Sequence, residues 1–408
     1  MGPGAVVNQA CRVTAIAVVA VAVLIAAATA ATSSSGPVAA AKPCARGSVP
    51  AVIAGKHQCL KVGQRCKKRL DRQYHRYGFH CHSGRLTSRG SVPPPALPAA
   101  GTVVGSFPVP ALSSIAVTED AVWVGPEDAA ARSAITRIDP QTNAVAATVP
   151  IAATTGAHQE DTGIFLTGGA GAVWVSDRLN SVVVRIDART NAVTARIPVA
   201  PKPRGAVVAD GFLWVTNHDS DLVSKIDPAT NQVVATIETH SPPTGSEQPR
   251  TIAAGAGAIW VGQRYSDDRA VVRIDPATNR VVASVRARCA ASGIDVMAVE
   301  SDALWFSAAD GCESGIVRVD PRTNAVVGRL VPDQAVAALE LAFGSLWAAL
   351  DNPARLIQVD RATGKVVASL SLPDNGTIWA IEQGFGALWV RQEGRLVRIA
   401  PRAAQPRD

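Results

Sequence analysis

Residues 256–285 read AGAIWVGQRYSDDRAVVRIDPATNRVVASV, and they decide the fold. A short apolar strand carries Trp260, and a polar loop follows it. A second apolar run ends in Ile274-Asp275, the tight turn Pro276-Ala277-Thr278-Asn279 comes next, and a Val-rich run closes the unit. The Val and Ile runs are those of half-buried or buried strands. Asp275 opens the turn and caps its own backbone, and Pro276 presets φ near −65° for a turn position. Asn279 stands where a left-handed residue joins antiparallel strands, which predicts positive φ there.

The same unit recurs along the chain. Its Trp strands are AVWVG (Trp123), AVWVS (Trp174), FLWVT (Trp214), AIWVG (Trp260), ALWFS (Trp305), SLWAA (Trp347) and ALWV (Trp389). The turns read RIDPQTN, RIDARTN, KIDPATN, RIDPATN, RVDPRTN and QVDRATG, and the seventh copy, RIAPR, lacks the Asp. Successive Trp residues are 40 to 51 positions apart. Four antiparallel strands at that period form a β-propeller blade. The expected fold is therefore all-β, a seven-bladed β-propeller over residues 102–408. The last copy ends after its third strand, while a spare strand, TVVGSFPV (Thr102–Val109), precedes the first. Pairing the two closes the ring and removes both exposed edges. The Trp residues, flanked by Val and Leu, belong to the core between blades and not to a stacking platform.

The D-P-x-T-N-x-V turn with its upstream W-V resembles the YVTN-type propeller family and is similar to the streptogramin (virginiamycin B) lyase-like propellers. The likeness covers residues 102–408 and speaks to architecture more than to function. It implies one alternative activity, a lyase or hydrolase in which His and Glu side chains act around a divalent cation. No His–Glu–His set maps onto this chain. His218, beside Asp219 and Asp221, is the nearest cluster, and His158, with Glu160 and Asp161, is the other candidate. No catalytic residue is assigned, and no cofactor is expected outside that alternative.

The residues ahead of the propeller are of a different kind. Val13–Ala31 is an unbroken uncharged apolar stretch with Arg12 before it and Ala28-Thr29-Ala30 as a small-x-small cleavage site. Residues 1–31 read as a secretory signal, with an uncleaved anchor as the competing reading. Residues 32–43 are a linker, and residues 91–101 form a Pro-rich spacer. Between them, residues 44–90 hold Cys44, Cys59, Cys66 and Cys81. A piece this small needs staples, and an even cysteine count in an exported chain favours disulfides. Their pairing stays open. The interleaved His57, His75, His80 and His82 lack the paired CxxC spacing of a zinc site.

The whole chain carries a net charge of +7. Residues 42–90 alone carry +11, with Asp71 as their only acid, so residues 91–408 are mildly acidic. Basic residues mixed with Tyr74, Tyr77 and Phe79 suit an anionic wall polymer or membrane surface outside the cell, and nucleic acid is disfavoured. The alternative is that these aromatics are merely the small core of the module.

In a propeller the second–third loops and the links between blades share one face, and here they vary in length and content. Candidate binding residues for an unknown protein or small-molecule ligand on that face are Arg204, Asn217, His218, Asp219, Asp221, Arg250, Arg264, Tyr265, Asp267 and Asp268, with Asp177, Arg178 and Glu247 near them. Arg204 and Arg250 fall at equivalent places beside a first strand. Cys289 and Cys312 fall on the same face and are expected to form a disulfide. The reading as a whole is a non-catalytic exported binding scaffold.

Overall fold

A computed structural model describes residues 49–75, 79–88, 97–108, 112–126, 134–151, 164–239, 248–264, 271–285, 294–308, 315–331, 334–351, 354–372, 374 and 376–402. The chain divides into two compact units, Met1–Pro93 and Pro94–Asp408. The apolar stretch 13–31 and residues Cys44, Tyr77, His158, Tyr265, Asp267, Asp268, Cys289 and Cys312 lie outside the described residues.

The second unit is a ring of seven four-stranded antiparallel sheets. Blade 3 shows the pattern: Pro203–Ala209 pairs with Phe212–Asn217, which pairs with Leu222–Asp227, which pairs with Gln232–Glu238. The first strands touch their neighbours all round the ring, blade 7 to blade 1 included, so they line the central channel. Each Trp strand is second in its blade, and all seven Trp are at most 1% exposed. Five of their indole N–H groups donate to the backbone carbonyl five residues earlier, as Trp174 does to Gly169 at 3.0 Å. The buried polar end of each of these rings is thereby satisfied.

The turns carry their expected geometry. Asn143, Asn191, Asn231, Asn279 and Asn324 have φ of 56–60°, and Gly364 has 68°. In the first turn the Asp139 carboxylate accepts the Gln141 N–H at 2.7 Å, which holds its pKa below the ordinary value.

The basic residue that opens each R-I-D motif has a purpose that the turn alone does not reveal. It sits directly across from the Trp, as Arg185 does from Trp174, and its charged head stacks on the indole at 5.2 Å. In four of the blades the head then reaches the turn of the following blade. Arg185 donates to the carbonyl of Pro228 and the side chain of Asn231, and Lys225 to Pro276 and Asn279. Arg273 donates to Pro321, and Arg398 of blade 7 to Pro140 and Asn143 of blade 1. The motif is thus a latch between blades, joining cation–π stacking to charge-assisted hydrogen bonds. Gln358 replaces the basic residue in blade 6, whose successor has no D-P-x-T-N turn to receive it.

The ring is closed by the strand Gly101–Pro108, which pairs antiparallel with Arg395–Pro401 as the fourth strand of blade 7. Gly101 passes so close to the carbonyl of Ala400 that a Cβ there would lie 2.5 Å from its oxygen. The preceding residues, assigned by sequence to the spacer, join the propeller as well. Pro98 and Ala100 exchange backbone hydrogen bonds with Ser369 of blade 6, and Ala100 is fully buried. An apolar Ala that finds an unpaired outer strand edge is held there, so residues 98–100 belong to the propeller.

The first unit is small. Val49–Ile53 pairs with Lys56–Leu60, and Phe79–His82 with Arg85–Ser88, around the short helix Asp71–His75. Tyr74 and Phe79 are buried with Ile53, Leu60 and Leu86, so these two aromatics are its core. Cys66 and Cys81 form a disulfide with Cα atoms 5.7 Å apart, and Cys59 is disulfide-bonded too. His80 faces Asp71, with Nδ1 3.0 Å from the carboxylate. Lys56, Lys61, Arg65, Lys67, Lys68, Arg69, Arg72 and Arg85 are exposed. No helix among the described residues is long and apolar enough to cross a membrane.

Candidate functional site at the channel mouth

First strands begin, and Trp strands end, on the face opposite the latches. At that end a cavity of about 520 Å³ opens on the channel, with lining residues from all seven blades. Its wall is set by one structural position. Three residues before the residue that faces each Trp stand Arg204, Arg250, Asp295, Ala337 and Trp379, in blades 3 to 7. Blade 2 pairs without the intervening irregularity and presents Phe165.

Charge is concentrated on one side. Asp295 sits between two guanidinium groups, in contact with Arg250 Nε and 3.8 Å from Arg204. The Arg204 guanidinium also stacks on Phe165 at 5.1 Å. Burial, then the neighbouring positive charge of Arg250, brings the Arg204 pKa down to about 9, and Arg178 and Arg264 press in the same direction. Burial raises the pKa of Asp295 against the pull of Arg250, Arg204 and Arg264. Three arginines, Arg204, Arg250 and Arg264, therefore converge on one carboxylate with Arg178 close by, and the local field favours an incoming anion.

Beside this cluster lies His218, 6% exposed, with Nδ1 2.7 Å from Asp219. The other oxygen of Asp219 is 2.7 Å from Lys202. Burial first, and then Arg178 and Arg204, lower the His218 pKa against the opposing hydrogen bond to Asp219. Its Nε2 is buried with no hydrogen-bond partner among the described residues. Asp221 does not join the pair: its carboxylate accepts the Gln248 N–H at 2.8 Å and its carbonyl accepts Thr239. Asn217 is fully buried and donates to Val215, Leu222 and Ser224, so it secures the strand end and does not face a ligand. Arg264 is held by its backbone to Gln248.

Deeper in the channel, Glu340 and Glu382 face the Trp of blades 6 and 7 across the strand pair. Burial pushes Glu340 up to about 7, against a backbone N–H bond from Gln383 that favours the charge. Burial and the charge of Glu340 push Glu382 well above the ordinary value. Glu382 also lines the mouth cavity.

Sequence reasoning placed Arg204 and Arg250 on this face but missed Asp295, Trp379, Glu340 and Glu382. Trp379, 51% exposed, is the eighth Trp, lies in a first strand and is not part of the core series. Aligning the first strands of the copies, and not only their Trp strands, would have exposed these positions.

A second cavity, about 700 Å³, lies on the latch face between blades 1 and 2, walled by Thr118–Asp120, Gly169–Ala172 and Asp187–Arg189. It opens at a seam whose turn reads D-A-R-T-N and where Arg137 turns back to Asp120 at 2.7 Å.

The propeller is similar to virginiamycin B lyase from Staphylococcus aureus, with a TM-score of 0.58 at 16% identity over 72% of this chain and 98% of that one. A catalytically inactive form of that lyase with quinupristin gives 0.58 at 15%, with the same coverage. The computationally designed Ika8 protein gives 0.51 at 13%, over 73% of this chain and 98% of that one. No family model and no curated protein matches the chain by sequence. At these identities the likeness is one of fold, a seven-bladed β-propeller resembling virginiamycin B lyase.

Proposed function

We propose that this chain is an exported, non-catalytic binding protein that takes a ligand at the mouth of its propeller channel. The observation that carries this reading is the convergence of Arg204, Arg250 and Arg264 on Asp295 at a cavity of ligand size. Export is supported by the apolar leader at residues 13–31 and by disulfides in the basic module, a chemistry of oxidising compartments. The exposed cations of that module suit an anionic wall polymer or membrane surface, bound through salt-sensitive electrostatics. A thermal-shift screen of the full chain against a small-molecule library tests the mouth. Hits that disappear in Arg250→Gln are expected, and hits indifferent to every mouth substitution would overturn the reading. Salt-sensitive cosedimentation with anionic vesicles is the expected outcome for the module.

The alternative, a metal-assisted lyase or hydrolase, rests on the His218–Asp219 hydrogen bond and the buried Nε2. The donors around it do not fit a divalent cation. His218 Nδ1 is committed to Asp219, Asp219 is shared with Lys202, and the nearest other charges are Arg178 and Arg204. Stabilisation by Mg²⁺ or Ca²⁺ that is lost in His218→Ala would revive that alternative.

A further inference from the structure

We propose that the ligand of the mouth is a small organic acid with a flat apolar body, its carboxylate clasped by Arg204 and Arg250 and its body laid on Trp379. This deepens the binding reading above and rests on it. Three separate observations meet in one cavity. The first is the clasp. Asp295 already shows how a carboxylate lies between the two guanidinium groups, and among the described residues it is the acid that presses on Arg204 against three other arginines. One carboxylate leaves excess positive charge, and guanidinium forks match a second carboxylate in plane and charge.

The second observation is the apolar wall. Trp379 is about half exposed, although every other Trp in the propeller is buried, and it faces the cavity with the guanidinium of Arg391 5.6 Å from its ring centre. An indole held from one side by a cation leaves its remaining exposed surface to a flat partner. Phe165, the other large aromatic of this wall, is covered by Arg204, whereas half of Trp379 is left exposed.

The third observation is Ser307. It is 1% exposed, lines the cavity and has a hydroxyl with no hydrogen-bond partner among the described residues. A buried hydroxyl left unpaired is destabilising, and a ligand oxygen would relieve it. Glu382, on the wall toward Trp379, has its pKa raised by burial and by the charge of Glu340, which lessens its repulsion of an anion.

The test is isothermal titration of the full chain with three probes of one shape: 2-naphthoate, the neutral 2-naphthamide and the cationic 2-naphthylmethylamine. Naphthoate is expected to bind one-to-one, the amide at least tenfold more weakly, and the amine not at all. Arg204→Gln and Arg250→Gln are each expected to weaken naphthoate at least tenfold and to narrow its advantage over the amide. Trp379→Ala is expected to weaken acid and amide alike by about threefold to tenfold, in line with an aromatic contact. Equal binding of the three probes by the unaltered protein would overturn the proposal, as would failure of naphthoate to bind at millimolar concentration. These measurements need no variant to fold. If the library screen instead yields neutral or cationic hits that map to the mouth, the binding function stands and this ligand class falls.

Discussion

The two faces of the propeller are made from the same seven blades, and they differ in how closely the blades agree. On the latch face Arg185, Lys225, Arg273 and Arg398 each stack on a Trp and reach the next turn. On the mouth face the equivalent first-strand position is Arg204, Arg250, Asp295, Ala337 and Trp379 in successive blades. Agreement builds a ring, because four of its seams close by the same contact. Disagreement builds a site, because a symmetric ring of one residue type cannot offer a charged side and an apolar side together. The seams where the latch motif lapses belong to the same contrast. Between blades 1 and 2 the turn has Ala188 in place of Pro and a cavity opens, and between blades 5 and 6 Arg361 reaches back to Glu300 instead.

This contrast can be broken at four points, in falling order of effect. Deleting residues 98–108 removes the fourth strand of blade 7 and its backbone contact with blade 6. The expected result is loss of the cooperative unfolding transition by calorimetry, and a truncated chain that melts like the intact one would refute closure. Next, Arg398→Ala cuts the latch from blade 7 to blade 1 and is expected to cost about 2–3 kcal/mol in denaturant unfolding, as charge-assisted bonds do. Gln358→Ala, at the equivalent place in blade 6, is expected to cost less, since Gln358 bonds only Ser345 of its own blade among the described residues. Equal costs would deny that the motif is a latch.

The third point is the channel. Glu340 and Glu382 titrate above their unfolded values, so the native state keeps protons that the unfolded chain has shed. Stability therefore falls as pH rises from the ordinary carboxyl range through the raised values. Glu382→Gln is expected to stabilise the protein at pH 8 by about 1–3 kcal/mol and to change little at pH 4, where both states are protonated. The same gain at both pH values would show that packing, not charge, limits the pair. The smallest effect is expected at the mouth. Arg250→Gln should alter unfolding free energy by less than about 1 kcal/mol, because it relieves repulsion from Arg204 while giving up Asp295. A large loss there would make the mouth part of the scaffold.

Much of this was legible in the chain. The Asn at each turn end has the positive φ that its position requires, the seven aligned Trp are core, and the strand ahead of the first copy completes the last blade. Arg204 and Arg250 were visible because both fall beside a recognisable first strand. Asp221 looked like a partner of His218 from adjacency, but its positive φ of 55° belongs to a tight connection that turns its carboxylate to Gln248. Asp295 and Trp379 were not legible as site residues. Trp379 shares the site with residues as distant in the chain as Ser114 and Phe165, and nothing local marks it or Asp295 as facing a channel.

By itself the sequence determined the blade, the number of blades and the way the circle ends, because these follow from local turn chemistry and a repeated apolar pattern. Only the tertiary structure decided what the repeat would be used for. Closing seven blades brings one residue from each to a common mouth, and the charge, exposure and proton affinity of those residues arise from their meeting. Burial in a narrow channel moves the pKa of Arg204, Asp295 and Glu382, and no stretch of chain holds that information until the ring is shut.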